Sequence, residues 1–427
     1  MVATSVTYHR DSPLRFDLTS AASKRDPHPT WAAMREAGPV VRVKVPFFGA
    51  VWLTTTHAST LAMVKDNSLF VQESRHAGRT GVAGFSWWMP KALNLMADNM
   101  LLKDEPDHRR LRKLVDRAFQ RRDILAMRGD IEAVADRILD EIDGPDFTEH
   151  GEVDLSEQFS RRLPLEVICE LLGLPHPDRP LFSKWARSAM AVKGPVSLYL
   201  ATNGLGKMID YLRGEIEACR RAPRAGLITE LIRAEEDGDK LSEDELVSMV
   251  FLLLLAGFET TTHLITGGII ALEQNLGQKA WLLADPEARM ERAVEELARY
   301  ASPVQSTKAR YVASDAEFFG QNLKRGEIIM ALVGAANADP AQFEHPEELR
   351  LDRFPNPHLI FSSGIHFCLG IQLARVETQS ALTRLYARFP NLRIPPPDQL
   401  AWIERIGLRG VKSLPTRLNG ARARLAA

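Results

Sequence analysis

Cys368 sits in the segment Phe361-Ser-Ser-Gly364-Ile-His366-Phe-Cys368-Leu-Gly370, followed at once by the helix-like run Ile371-Gln-Leu-Ala-Arg-Val-Glu377. A thiolate needs positive potential and hydrogen-bond donors to stay ionised. A helix starting just after Cys368 aims its free N–H groups and its dipole at the sulfur. Gly364 and Gly370 allow tight turns and the close approach of a flat ligand, and Phe361 could shield the sulfur from water. One cysteine cannot close a zinc site. It can ligate a heme iron, with the porphyrin supplying four further ligands. The plainer alternative is an inert buried cysteine at a loop–helix junction.

Three further segments could share such a site. Ala256-Gly257-Phe-Glu259-Thr260-Thr261 lies inside a long apolar run. Glycine within a helix costs about 1 kcal/mol against alanine, and a carboxylate in apolar surroundings is costlier unless it has a task or a partner. Leu253, Ala256, Gly257, Thr260 and Leu264 fall on one stripe at helical spacing. The small residues open space over a bound disc, and a hydroxyl beside an acid could relay protons. The alternative is a helix kink, with Glu259 paired to a basic neighbour. Glu296-Leu-Ala-Arg299 places an acid and a base on one helix face, a common surface pattern worth tenths of a kcal/mol. In Pro106-Asp-His108-Arg-Arg-Leu111-Arg112-Lys-Leu114-Val115, Pro106 suits a helix start. Leu111, Leu114, Val115, Ala118 and Phe119 form the buried face, with His108 and Arg112 on its edge. Arg109, Lys113 and Arg117 point the other way, as an ordinary solvated stripe would.

These segments need a helical frame, and helix signals dominate. Ile131, Val134, Ile138, Leu139 and Ile142 recur on one face, and Gly144-Pro145 stops that helix. Ser242-Glu-Asp-Glu245 reads as a capping box before a helix running to about Gln274. Val41–Val45 alternates and pairs as a hairpin with Ala50–Thr55. Ala309–Ala313 and Glu327–Leu332 read as two more strands, joined through the turn Lys324-Arg325-Gly326. The fold is expected to be mainly α with a small β region.

Length alone would allow about two or three domains. No linker divides the 427 residues, so one large fold is the better reading. A net charge of −1 gives no reason to expect a nucleic-acid partner. The N-terminus carries no signal-peptide pattern. The most apolar run, Met249–Ala256, is far short of the roughly 20 residues of a spanning helix. The chain reads as soluble and cytoplasmic, with no membrane partner. Cys169 and Cys219 lie in helical patterns and read as structural; the three cysteines form neither a metal spacing nor a disulfide framework.

The order of the four signals resembles the cytochrome P-450 superfamily of heme-thiolate monooxygenases, specifically its soluble bacterial members. The resemblance runs from about Asp17 to Leu418 and implies that family's fold, with a long central helix over a buried heme b (iron protoporphyrin IX). It implies Cys368 as axial ligand, in a loop shaped by Phe361, Gly364 and Gly370. Ala256 and Gly257 lie against the heme, and His108, Arg112, Arg310 and His366 match positions that hold its propionates. Glu259 and Thr260 match the acid–alcohol pair that delivers protons. Glu296 and Arg299 match a buried pair joined by Arg353. Arg109, Lys113 and Arg117 lie on the helix of the docking face for an acidic ferredoxin, which receives electrons from NAD(P)H through a ferredoxin reductase. The chain is expected to act as a monomer. One departure is Ser362-Ser363, where many bacterial relatives have Gly-His.

The implied reaction uses dioxygen on a small, fairly apolar organic substrate such as a terpenoid, steroid, fatty acid or aromatic, by hydroxylation or oxidative dealkylation. Segments expected to line the distal pocket include Phe85-Ser-Trp87-Trp88-Met89, Leu93–Met96, Leu252, Leu255, Pro303-Val304-Gln305 and Ile406-Gly407-Leu408. Trp87 and Trp88 read equally well as packing. Phe182–Tyr199 is expected to form a mobile lid, and no carboxylate anchor stands out. Three alternatives remain at this level: a peroxygenase using hydrogen peroxide, a non-catalytic heme sensor or carrier, and a thiol enzyme with Cys368 as nucleophile. The intact Glu259-Thr260 pair argues against the first two, and His366 is badly placed as a base for the third.

Overall fold

The computed structural model describes residues 13–45, 48–79, 99–120, 124–144, 152–178, 181–182, 185, 195–236 and 241–418. Seven helices carry the site: α1 (His57–Lys65), α2 (Asp107–Gln120), α3 (Arg128–Ile142), α4 (Arg162–Leu172), α5 (Glu243–Gln274), α6 (Pro286–Ala301) and α7 (Ile371–Arg388). The apolar faces of α2–α7 converge on one large core, with Leu114, Ile138, Leu172, Leu254, Leu297 and Leu385 all fully buried, whereas Met63 and Val64 of α1 pack against the sheet.

α5 starts where its sequence says it should. The Ser242 hydroxyl accepts from the Glu245 N–H at 3.1 Å, and the Glu245 carboxylate accepts from the Ser242 N–H at 2.8 Å. The whole 32-residue helix, not only Met249–Ala256, is long and apolar enough to cross a membrane. Two thirds of its apolar window is instead buried inside the fold, so its composition reflects a core helix contacted on several sides.

The hairpin strands are β1 (Val40–Val45) and β2 (Gly49–Thr54), antiparallel with Val43 opposite Val51. With β3 (Phe70–Val71), β4 (Arg310–Val312) and β5 (Ile328–Ala331) they form a five-stranded sheet of order β1-β2-β5-β4-β3. β2 and β5 are parallel, and the other neighbours antiparallel. The link from β4 to β5 is more than the expected turn. It contains its own hairpin, Ala316–Phe318 with Gln321–Leu323, turned at Phe319-Gly320. The strands are too short and too exposed to alternate visibly.

Candidate active site

A cavity of about 250 Å³ lies between α5 and the cysteine loop, lined mainly by apolar side chains. Ala256, Thr260 and Leu264 form part of one wall; Phe361, Cys368 and Gly370 form part of the opposite one. Helical periodicity puts Leu252, Leu253, Ala256, Gly257, Thr260, Thr261 and Leu264 on the wall together.

The cysteine loop is held by backbone bonds and close packing. The Cys368 N–H donates to the Phe361 carbonyl at 2.9 Å. Burial pushes the Cys368 thiol up from its ordinary value. A hydrogen bond from the Gly370 N–H, then the charges of Arg112 and Arg375, oppose that rise and favour the thiolate. Gly364 has φ +71, and a Cβ there would stand 2.8 Å from the Val64 carbonyl oxygen, so the loop rests directly on α1. At Gly370 a Cβ would meet nothing within 4 Å, which leaves open space beside the sulfur. The Phe361 ring stacks under the Arg375 guanidinium at 5.7 Å. Ser362, in the departing Ser-Ser pair, has φ +61, the left-handed region that glycine occupies without strain.

His108 and His366 meet at the cavity edge with ring centroids 4.3 Å apart. Both imidazoles are held below their ordinary pKa, His366 to about 3, mainly by burial and then by neighbouring cations. His108 Nδ1, His366 Nε2 and Arg310 Nε are buried without a hydrogen-bond partner among the described residues. Arg310 is 1% exposed, and its Nη1 reaches Asn67 Oδ1 at 3.2 Å. Arg112 Nη1 donates to the Phe367 carbonyl at 2.8 Å, while its Nε faces Asp116. Buried donors of this kind are costly unless an acceptor meets them. Together they fit an anionic group at the rim of a flat ligand.

The Glu296 carboxylate is fully buried and accepts from Arg299 Nε at 2.8 Å and Nη2 at 2.7 Å. Arg353 Nε completes the cluster at 3.1 Å from Glu296 Oε2. The spacing alone could pass for a surface pair; burial makes it part of the core.

A model of the family described as Cytochrome P-450 matches residues 289–404. The polyketide biosynthesis cytochrome P-450 PksS of Bacillus subtilis (strain 168) is 38% identical over 398 residues, covering 92% of this chain and 96% of that protein. The chain belongs to the cytochrome P-450 family. The 6-deoxyerythronolide B hydroxylase of Saccharopolyspora erythraea is 35% identical, over 95% of this chain and 99% of its own. The crystal structure of the myxobacterial cytochrome P-450 CYP267B1 in complex with myristic acid matches with TM-score 0.85 at 34% identity, covering 94% of this chain and 98% of that one. As a cytochrome P-450 the protein is a heme-thiolate monooxygenase whose cofactor is heme b. The cavity fits that cofactor: a lone cysteine on one wall, open space beside it, and unpartnered cationic or donor groups at the rim.

Several expected contacts differ in the cytochrome P-450 chain. Gly257 lines the cavity, but a Cβ there would stand 2.9 Å from the Ile168 side chain; the missing side chain admits α4 rather than a disc. Leu255 packs against the helical core, about 100° around α5 from Ala256. Val304 and Pro303 line the wall, but Gln305 does not; its Oε1 accepts from the buried Lys24 Nζ. Leu408 pairs with Val304 through a backbone bridge without reaching the wall, and Ile406 and Gly407 line a separate small pocket beside Trp31. Phe182, at the start of the expected lid, is 1% exposed and packs edge-on against Trp185 and Tyr211. The rest of the expected lid to Leu198-Tyr199 has no described side chains beyond Trp185, and Trp87, Trp88 and 93–96 lie outside the described residues.

Sequence reasoning missed Met100, Leu101 and Phe119 on the wall, and Arg405, whose guanidinium pairs with Glu259. Both readings of Glu259 therefore coexist: it has a basic partner, and it precedes Thr260 on the wall. The Thr260 hydroxyl donates to the Ala256 carbonyl at 2.9 Å, the expected back-bond.

Proposed function

We propose that this monooxygenase inserts one atom of dioxygen into a C–H bond of a small, fairly apolar organic molecule, by hydroxylation or oxidative dealkylation. Electrons come from NAD(P)H through a separate ferredoxin and ferredoxin reductase. The observation that carries the reading is the two-walled cavity, with Cys368 opposite Thr260. Bound heme b supplies dioxygen activation, favoured by electron donation from a thiolate. Cys368 would hold its iron, and the Gly370 N–H stabilises the charge of the thiolate. His108, His366, Arg310 and Arg112 would hold its propionates and orient the ring. Thr260 passes protons at Oγ1, and Glu259 receives them from the side where it meets Arg405. Leu252, Leu264 and Val304 exclude water and give the substrate an apolar seat.

Two relatives support the substrate class: one hydroxylates 6-deoxyerythronolide B, and another holds myristic acid. Arg109, Lys113 and Arg117 are exposed on α2 and suit an acidic redox partner. We read the chain as one domain with its core over about 17–418, working as a cytoplasmic monomer. The intact Glu259–Thr260 pair favours dioxygen and electrons over hydrogen peroxide. The deciding experiment is Thr260→Ala. NAD(P)H consumption should continue while product per NAD(P)H falls, on the order of tenfold or more for a lost proton-transfer group. Unchanged coupling, or turnover faster with hydrogen peroxide than with ferredoxin, would sink the reading.

A further inference from the structure

One residue before the buried Glu296, Glu295 turns from α6 to a different set of partners. Arg375 of α7 grips its carboxylate as a fork, Nε to Oε1 at 2.7 Å and Nη2 to Oε2 at 2.8 Å. His358 Nε2 meets the same Oε2 at 3.2 Å, with only 4% of its side chain exposed. Both partners rest on Phe361. The Arg375 guanidinium carbon stands 5.7 Å from the ring centroid, and the His358 ring 5.8 Å from it. Phe361 in turn lines the cavity with Cys368, and its carbonyl accepts from the Cys368 N–H. The ion cluster is thus joined to the cysteine loop through one aromatic ring and one backbone bond.

Arg375 stands in the second turn of α7, the helix that starts just after Cys368. Burial pushes the Cys368 thiol up, and the Gly370 N–H, Arg112 and Arg375 pull the other way. Arg112 has a second task at the propionate edge, where its Nε faces Asp116. Arg375 has Glu295 as its one acid among the described residues. The Glu295 carboxyl is held down to about 2; burial works against this, and the bonds from His358 and Arg375 outweigh it. It is therefore a full negative charge at neutral pH, set against a full positive one. Hydrogen bonds and charges around a metal-bound sulfur tune the potential of the metal. A charge pair fixed on the aromatic ring of the cysteine loop is placed to do so.

We propose that Glu295 is a positioning residue for the thiolate: it holds Arg375 over Phe361 and offsets its charge, and the two together set the reduction potential of the iron. This rests on the reading of Cys368 as the ligand of that iron. The two charges act in opposite directions. Ferric iron gains one electron from the reduced ferredoxin of the proposed reaction, so a nearby cation favours the ferrous form and a nearby anion the ferric form. Solvent reaches 29% of the Arg375 side chain and 23% of that of Glu295, and screening keeps each effect modest.

The test is a spectroelectrochemical titration of the heme-loaded protein without substrate. Glu295→Gln leaves Arg375 uncompensated and should shift the reduction equilibrium about threefold or more toward ferrous iron, roughly 28 mV at 59 mV per tenfold for one electron. Arg375→Met should shift it by a similar factor toward ferric iron. The double variant removes one charge of each sign and should return close to the wild-type potential. Arg375→Lys keeps the charge without the fork and should also stay close to wild type. A pair that only ties α6 to α7 would lower the melting point in every variant and leave the potential alone. Single variants that keep the wild-type potential, or that shift it in the same direction, overturn the proposal. So does loss of heme in Glu295→Gln or Arg375→Met, which would assign the pair to the fold. Failure of the reading beneath it looks different: wild-type protein would lack the red-shifted ferrous–CO band of a thiolate ligand, whatever its potential.

Discussion

Replacing Glu296 with glutamine separates a surface ion pair from a buried one. The carboxylate accepts from both Arg299 and Arg353, from Asn356 Nδ2 at 3.1 Å and from the Arg350 N–H at 3.1 Å. Glutamine keeps one acceptor oxygen, turns an amide donor toward a guanidinium, and leaves two cations uncompensated. Arg299 and Arg353 are 2% and 7% exposed, so water cannot replace the lost charge. Arg299 keeps carbonyl acceptors at Asn337 and Pro346, which limits the damage to charge rather than hydrogen bonding. Removing one partner of a buried pair costs about 3–5 kcal/mol. With an unfolding entropy of about 2.1 cal/mol/K per residue, 427 residues give about 0.9 kcal/mol/K, so the melting point should fall by about 3–6 °C. Calorimetry and urea unfolding of the heme-free and heme-loaded protein read this directly. Glu295→Gln is the comparison, since Glu295 pairs with His358 and Arg375 at 23% side-chain exposure and should lose less. A Glu296→Gln loss below about 1 kcal/mol would refute the reasoning, because exposed pairs are worth that little.

The strained left-handed backbone at Ser362 predicts that Ser362→Gly raises stability by about 1 kcal/mol with the Soret spectrum unchanged; no rise in the urea midpoint would count against it. Gly364→Ala meets both a positive φ and the Val64 carbonyl, so it should lower the unfolding midpoint and speed heme loss to apomyoglobin, whereas normal retention would remove the close-packing argument. The His263 imidazole is held down to about 3, first by burial and then by Arg161 and Arg405. Its unfolded value is near 6.5, so the unfolded chain takes up a proton that the folded one refuses. Stability from this group is complete above about pH 6.5 and falls as pH drops toward 3, by up to about 1.4 kcal/mol per unit. His263→Gln should flatten that slope in urea titrations between pH 7 and 5, and an unchanged slope would assign the acid sensitivity elsewhere.

What was legible in the sequence was local or periodic. The capping box at Ser242, the alternation of β1 and β2, and the face of α2 each depend on residues a few positions apart. The cysteine loop and the stripe on α5 were legible for the same reason. Assignments that needed a neighbouring element were less secure. Leu255 and Leu408 are apolar and adjacent to wall residues, yet one turns to the core and the other pairs by its backbone. Gly257 looked like space for a ligand because its occupant, Ile168, lies 89 positions earlier on another helix. Glu259 and Arg405 pair across 146 positions, so no spacing rule could join them.

Glutamate and arginine illustrate how the same residue types serve opposite ends in one fold. At Glu296 the carboxylate and the two guanidiniums find matching partners, and the ion cluster asks nothing of a ligand. At the cavity edge His108, His366 and Arg310 keep buried nitrogens without partners, an arrangement that folding alone disfavours. Glu377 on α7 is a third case: fully buried, its carboxyl oxygens lack full hydrogen-bond partners, and burial pushes its pKa well up despite a contact with Thr261. A carboxyl in that setting stays protonated and neutral, so it adds no charge that the cavity must balance. The cationic and donor groups that do line the cavity are those of the cradle, His108, Arg112 and His366, which leaves that edge suited to an anionic partner.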